Sequence, residues 1–370
     1  MIKAEVVADS LSPQGDRLTS LLITFPRIIL AEVNTHRMLS KNTSSSRAIP
    51  FNKMVEVVQN NPFIPIAWQK EHKGMQGSEY LSEMESKHQV SHWLSCRDFA
   101  VSTAREMNNL VATKQLCNRL LEPFMWTTML ITGSKEGWDN FFNLRCPSYS
   151  WQGEGNFKSW EELVAFHFKN GASRDWVEEL ENTSTTKRLM NNKGQAEIHM
   201  MALAECIYNA ISKIIPEKLF EGEWHIPFKR KMPQMNDTRL LGLEEYNFDK
   251  YTNKSLDDFV QETMVKISTA MAARTSYTVV GDEKEIDHKK MLELHDRLVS
   301  QSPPHSSPME HCARAMSNHE YYYQFGVTPF GEADKKGWCR NFKGFIQYRH
   351  IIETKKNNNE KTMLPSLKRP

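Results

Sequence analysis

The stretch Thr35-His36-Arg37-Met38-Leu39-Ser40-Lys41-Asn42-Thr43-Ser44-Ser45-Ser46-Arg47 sets two arginines and a histidine into a run dense in hydroxyls. Residues 40–46 hold five Ser or Thr, which form poor helix but supply many short-range hydrogen-bonding groups. Hydroxyls, free backbone N–H groups and guanidinium forks are the groups that hold phosphate. A loop whose hydroxyls merely cap neighbouring helices would have the same composition, so both readings stand on this stretch alone.

Outward from it, the chain punctuates itself. Ala4–Ala8 and Leu18–Ile23 read as strands around the turn-rich Ser12-Pro13-Gln14-Gly15-Asp16. Pro26 opens an apolar run expected to continue as helix toward Ser40. Residues 79–122 read as helix, Met125–Ile131 as a strand, and Trp138–Arg145 as a short helix with Phe141 and Phe142 on an aromatic face more suited to core than to stacking a ligand. Residues 147–193 turn Gly- and Ser-rich and then polar, the composition of an insertion or lid. Helical patterns return over Gln195–Ile215, Ser255–Arg274 and Lys284–Leu298, with an irregular stretch at 217–254. We read one catalytic domain over 1–355, with additions at about 147–193 and 217–254. The Lys/Asn-rich 356–370 reads as a flexible tail.

Bulk composition narrows the classes. The 370 residues are 39% hydrophobic and 25% charged, with nine Trp, ten Tyr and eighteen Phe, ample for a packed core. No run approaches the roughly 18 apolar residues of a membrane span, and Met1–Glu5 lack a signal peptide's apolar core, so a cytoplasmic location is expected. A net charge of +2 gives no bulk argument for a nucleic-acid partner. The six cysteines are far apart and read as reduced; the thirteen histidines form no ligand cluster, so no metal is expected.

With these segments in view, the chain resembles the family of flavin-dependent thymidylate synthases. The family carries Arg-His-Arg, seven residues, then Ser; here His36, Arg37, Ser40, Asn42, Ser45 and Arg47 occupy the matching places. Asn118-Arg119-Leu120-Leu121-Glu122-Pro123 is similar to its nucleotide-binding Arg ahead of a Pro. Asn140–Arg145 is similar to its Asn-x-x-x-x-Arg helix, and Gln195-Ala196-Glu197-Ile198 to its Gln-x-Glu-Ile. Two opening motifs come at the wrong end. Ala273-Arg274-Thr275-Ser276-Tyr277 resembles Ala-Arg-Val-Ser-Tyr, and His305-Ser306-Ser307-Pro308-Met309-Glu310-His311 resembles His-x-Ser-Pro-Phe-Glu-His. The order is that of a circular permutation, which preserves a site when the original termini lie close together.

The resemblance implies an α+β fold, a mixed sheet wrapped by helices. It implies reductive methylation of dUMP to dTMP with FAD, NADPH and methylenetetrahydrofolate in a homotetramer with shared sites. It assigns Arg145 to the base as catalytic residue; Ser45, the Ser46 backbone, Arg47 and Arg119 to the phosphate; and Glu32 to the position that holds the base. His36, Arg37, Asn140, Ser276, His305 and Ser307 would line the flavin site. Several of these residues have plainer readings: Arg145 bridging Glu197, His305 as a turn residue, Asn140 satisfying backbone.

Departures from the pattern leave the product open. Thr35 stands for the first Arg, Thr43 for a Glu, Ala48 for a Tyr and Glu32 for a Gln. Hydroxymethylation of dUMP or methylation of dCMP on the same scaffold remains an alternative, and a non-catalytic nucleotide- or flavin-binding protein a more distant one. Gln347-Tyr348-Arg349-His350 echoes the missing residues, or is an edge strand.

Overall fold

The computed structural model describes residues 1–73, 77, 79–151, 154–171, 173–192, 196–232, 256–277, 287–301, 305–325 and 336–363. Two antiparallel strands, β1 (Lys3–Leu11) and β2 (Arg17–Pro26), open the chain around the expected turn. Gly15 takes φ +88° there, a left-handed value open to a residue without Cβ. Next come α1 (Leu30–Asn34), β3 (Ser40–Thr43), α2 (Phe51–Asn60), α3 (Glu83–Asn109) and α4 (Lys114–Cys117). A 3-10 segment, Asn118–Phe124, leads into β4 (Trp126–Ser134) and α5 (Lys135–Arg145). The hairpin β5 (Tyr149–Trp151) and β6 (Glu154–Phe157) is followed by α6 (Trp160–Lys169), α7 (Arg174–Glu181), α8 (Thr185–Met190) and α9 (Ile198–Ser212). Short strands β7 (Glu217–Lys218) and β8 (Trp224–His225) precede α10 (Leu256–Thr275) and α11 (His288–Ser300). The described chain closes with β9 (Ala313–Ala315), β10 (Trp338–Cys339), β11 (Phe342–Lys343), β12 (Phe345–Gln347) and α12 (Tyr348–Met363).

The main sheet runs β3-β4-β2-β1-β7 and is mixed, because β7 lies parallel to β1 while the other pairs are antiparallel. β4 sits between two strands and is buried from Thr127 to Ser134, which explains its unbroken run of apolar and threonine side chains. Its alternate residues feed two cores. Met129 and Ile131 pack with Trp138, Phe141 and Phe142 of α5 and the apolar face of α9. Leu130 packs with Val260, Met264 and Ile267 of α10 and Met291 of α11. Helices therefore cover both faces of a mixed sheet, the α+β arrangement expected, with Phe141 and Phe142 in the core.

The structure departs from the sequence reading in local detail. The helix expected to reach Ser40 stops at Asn34, where the Thr35 hydroxyl donates to the Glu32 carbonyl at 2.6 Å. Ser40–Thr43 is instead an edge strand, a polar segment held by pairing with β4 and by side-chain bonds from outside the sheet. The helix expected over 79–122 is broken in three. Val111 takes φ +65° and Thr113 caps α4, so the chain turns before resuming. In the 147–193 addition, Tyr149, Leu163 and Leu189 join the α5–α9 core, and Glu205 of α9 accepts from the Trp160 backbone at 2.7 Å. The tail expected from 356 is helical as far as Met363. Gln195 and residues 233–255 lie outside the described residues.

Candidate functional site

The motif segments meet at β3, the open edge of the main sheet. Residues directly opposite in an antiparallel pair share a face. Lys41 lies opposite Ile131 and Asn42 opposite Leu130, so neighbouring residues of β3 serve opposite sides of the sheet.

On the Leu130 side, Asn42 is a hub. Its amide donates to the Ala272 carbonyl and, at 3.4 Å, to the Ser276 hydroxyl, while its Oδ1 accepts from the Ser307 hydroxyl at 3.1 Å. The Ser45 N–H donates to the Ser276 carbonyl at 2.9 Å. These bonds tie Asn42 and Ser45 to two segments more than 200 residues further along the chain, 272–276 and Ser307. Gln347 ends β12 at the edge of the sheet β12-β9-β8, and its amide reaches the Ser40 hydroxyl at 3.4 Å and the Glu310 carbonyl at 3.3 Å. The edge-strand reading of this segment therefore holds for Gln347 alone, which also touches the site, while Tyr348, Arg349 and His350 open α12. Arg349 is engaged by Glu310 and by Glu353, at 2.7 Å from the latter.

On the Ile131 side, Arg145 ends α5 and donates its Nε–H to His36 Nε2 at 3.0 Å. Arg145 makes no described bridge to Glu197, which caps α9 through the N–H groups of His199 and Met200 and also holds the His199 ring. His36 is buried edge-on against Phe141, with ring centroids 4.8 Å apart. Burial, then the Arg145 charge, then the Lys41 charge push its pKa down to about 4. Glu32 faces the same space: burial and then Glu197 raise its carboxyl above the usual range, against the opposing pull of Arg145 and His199.

Beyond this edge lies the loop expected to hold phosphate. Asn118 donates to the Ser46 carbonyl at 2.7 Å and the Ile49 carbonyl at 3.0 Å, tying the loop to the 3-10 segment on both sides of Arg47. Arg119 follows Asn118 directly, so the tie brings the two arginine-bearing segments together. Arg47 and Arg119 are exposed, as is Arg37, and none of the three has a hydrogen-bond or ion-pair partner among the described residues. The Ser46 hydroxyl is engaged by Glu122 at 2.5 Å, and Glu122 is held in turn by Arg27 at 3.2 Å. Asn140 and His305 are exposed; a backbone bond at 3.1 Å to Leu298 anchors the latter.

Lys41, Asn118 and the Glu310–Arg349 pair were not singled out as site residues. Asn118 stands directly beside Arg119, and Lys41 stands within the hydroxyl-rich stretch. Its side chain is half-buried, its Nζ donates to the His36 carbonyl, and burial lowers its pKa to about 8 against the pull of Glu310.

The chain matches no protein-family model and no curated protein. Among solved structures it is similar to a UMP/dUMP methylase, PolB from Streptomyces cacaoi, bound with 5-Br UMP. The identity is 13% and the TM-score 0.37, over 58% of this chain and 89% of that one. The same methylase bound with 5-Br dUMP gives 13% identity and a TM-score of 0.33, over 48% and 91%.

Proposed function

We propose that this protein is an enzyme that methylates carbon 5 of a pyrimidine nucleoside monophosphate: dUMP to dTMP, with methylenetetrahydrofolate, NADPH and FAD. The observation that carries the reading is the set of bonds at β3. Asn42, Ser276 and Ser307 belong to three motif segments of the family the sequence resembles, and Asn42 is bonded to both serines although their motifs come at the other end of the chain.

The residues fit the chemistry. Carbon 5 of uracil is a weak nucleophile and becomes a better one when the N3–H is ionised or strongly polarised. Arg145 is anchored through Nε, so its two terminal nitrogens, which have no described partner, form a fork for N3 and O2. Held there, the guanidinium stabilises negative charge on the base without itself changing protonation, since it stays charged throughout. Arg47, Arg119, the Ser45 hydroxyl and the Ser46 backbone take the phosphate, using donors that no described residue occupies.

Three polar groups with free capacity suit the flavin as well. Arg37, Asn140 and His305 are exposed, while Ser276, Ser307 and His36 are more withdrawn from solvent. FAD, when bound, supplies hydride transfer, and the chain's part is to hold and orient it. Homotetramer formation with shared sites belongs to the same proposal.

A second reading has its own observation. Glu32, with its carboxyl raised and facing Arg145, could meet the amino group of cytosine, which favours dCMP as substrate. One assay separates the readings. Protein reconstituted with FAD is given methylenetetrahydrofolate and NADPH against a panel of pyrimidine monophosphates, and NADPH oxidation and product mass are followed. Oxidation gated by dUMP with dTMP formed is the expected result. Gating by dCMP selects the second reading, a hydroxymethylated product the dUMP hydroxymethylase, and binding without turnover a non-catalytic role.

A further inference from the structure

Lys41 is costly where it stands. It lies opposite Ile131 on a strand face that otherwise meets the α5–α9 core, and half of it is withdrawn from water. No carboxylate compensates it directly: its described hydrogen bond goes to the neutral carbonyl of His36, and Glu310 nearby is already paired with Arg349. A lysine kept under these terms needs a reason, and the His36–Arg145 pair supplies one.

Arginine does not deprotonate in proteins, so its Nε–H is always the donor to His36 and Nε2 must be the bare ring nitrogen. The proton of the neutral ring then sits on Nδ1. A protonated His36 could not accept that bond, and Arg145 would be released. Thr35 is neutral and contributes no charge beside the ring, and its hydroxyl is bonded to the Glu32 carbonyl.

We propose, resting on the site reading above, that Lys41 is a positioning residue: its ammonium, anchored on the His36 carbonyl, sets the turn that keeps the His36 ring accepting from Arg145, so that the guanidinium stays aimed at the base. The charged groups facing this cluster are Glu310 from the 3-10 turn Ser307–Glu310, Arg349 of α12 on Glu310, Arg145 of α5 and Glu32 of α1. Burial lowers the Lys41 pKa to about 8, so it is charged at pH 7 and loses its charge as the pH rises through that value.

The test reads His36 directly, without ligand. Ring nitrogens are followed by NMR in histidine-labelled protein, with a His36→Gln sample assigning the signal. The parent should show His36 with its proton on Nδ1 at pH 7 and a change in its ring signals as the pH passes about 8. Lys41→Arg should keep the tautomer and abolish the alkaline change, since its charge does not titrate. Lys41→Met should lose the single tautomer and lower kcat by about tenfold or more, with KM for the pyrimidine nucleotide within about twofold. Should Lys41→Met fail to fold, the parent and Lys41→Arg still decide. Ring signals that ignore pH between 7 and 9.5 in the parent, or an alkaline change that persists in Lys41→Arg, would overturn the proposal. A protein with the expected His36 signature that binds no pyrimidine monophosphate would sink the functional reading instead.

Discussion

The candidate residues around β3 fall into two groups, one pinned and one loose. His36, Arg145, Asn42, Ser276 and Ser307 are partly or wholly buried, with Arg145 bonded to His36 on one face of the sheet and Asn42 to Ser276 and Ser307 on the other. Arg37, Arg47, Arg119, Asn140 and His305 are exposed, and the three arginines have no described partner. Buried polar groups must find partners within the chain, because leaving one unpaired costs about 1–3 kcal/mol. Exposed guanidinia carry no such demand and keep their capacity for a ligand. The difference teaches how to tell the groups apart: pinned residues should register first in stability or turnover geometry, loose ones in binding.

The largest expected effect is at Arg145, which belongs to both classes, pinned at Nε and free at its terminal nitrogens. Arg145→Lys should leave the melting temperature near the parent's and reduce kcat by about a hundredfold or more, because an ammonium cannot span N3 and O2 together. Near-parental turnover would make Arg145 a structural link to His36 and nothing else. On the loose side, Arg47→Ala and Arg119→Ala should each weaken pyrimidine monophosphate binding by about tenfold to a hundredfold, measured by calorimetry. The nucleoside lacking phosphate should bind all three proteins alike. An equal loss for the nucleoside would move these arginines away from the phosphate.

Asn42→Ala tests the pinned side. It strips the Ser276 and Ser307 hydroxyls and the Ala272 carbonyl of a partner, and should cost about 2–3 kcal/mol of stability in urea unfolding. A variant as stable as the parent would show that the three segments are held together by other contacts.

Much of this was legible in the residues. The β1–β2 hairpin and β4 follow from short apolar runs around turn residues, and the segments that meet at β3 were named from their motifs. The rest was hidden for physical reasons. Nothing in Val111 announces a left-handed turn, since a β-branched residue disfavours one. Ser40–Thr43 has no apolar periodicity; its strand is fixed by pairing with β4. Leu163 begins the short apolar run Leu163–Phe166 and Leu189 adjoins Met190 within an otherwise polar stretch, and only the fold places them in the main core. Lys41 gains its meaning from burial, which composition does not reveal.

A smaller effect concerns pH and a pinned cluster behind the site. Ser10 lies 2.9 Å from His225 Nδ1, His225 Nε2 2.8 Å from Ser20, Ser20 2.6 Å from Thr132, and Thr132 2.9 Å from His311 Nδ1. Both imidazoles are fully buried, and burial pushes each pKa down to about 3. Unfolded histidine takes up its proton near pH 6.5, so between about 6.5 and 3 the unfolded chain binds more protons than the native one. Stability should therefore fall as the pH drops through that window, by about 1.4 kcal/mol per pH unit for each histidine. Urea unfolding at pH 7 and pH 5 measures the slope. His225→Asn should make it shallower even though that variant starts less stable, and an unchanged slope would assign the acid sensitivity elsewhere.

The smallest expected effect is none at all, and it separates two chemistries. The alternative route to a 5-methylated pyrimidine attacks carbon 6 with a cysteine thiolate, which requires an accessible thiol with a lowered pKa. All six cysteines here are free, and only Cys96 is exposed. Cys146 adjoins Arg145, yet it caps the C-terminal end of α5, where the helix dipole disfavours a thiolate, and burial pushes its thiol well up. Burial likewise pushes Cys312 up to about 12, with its sulfur 3.2 Å from the Ser268 hydroxyl. Cys206 and Cys339 are raised for the same reason. Reduction through a bound flavin needs no such nucleophile, so each Cys→Ser variant that folds should keep nucleotide-dependent NADPH oxidation within about twofold of the parent. One folded variant without turnover, together with a covalent adduct trapped at that cysteine in the parent protein, would replace the flavin route with thiolate attack. It would also place a catalytic residue on neither side of the comparison drawn here, because no cysteine belongs to the pinned network or to the loose rim.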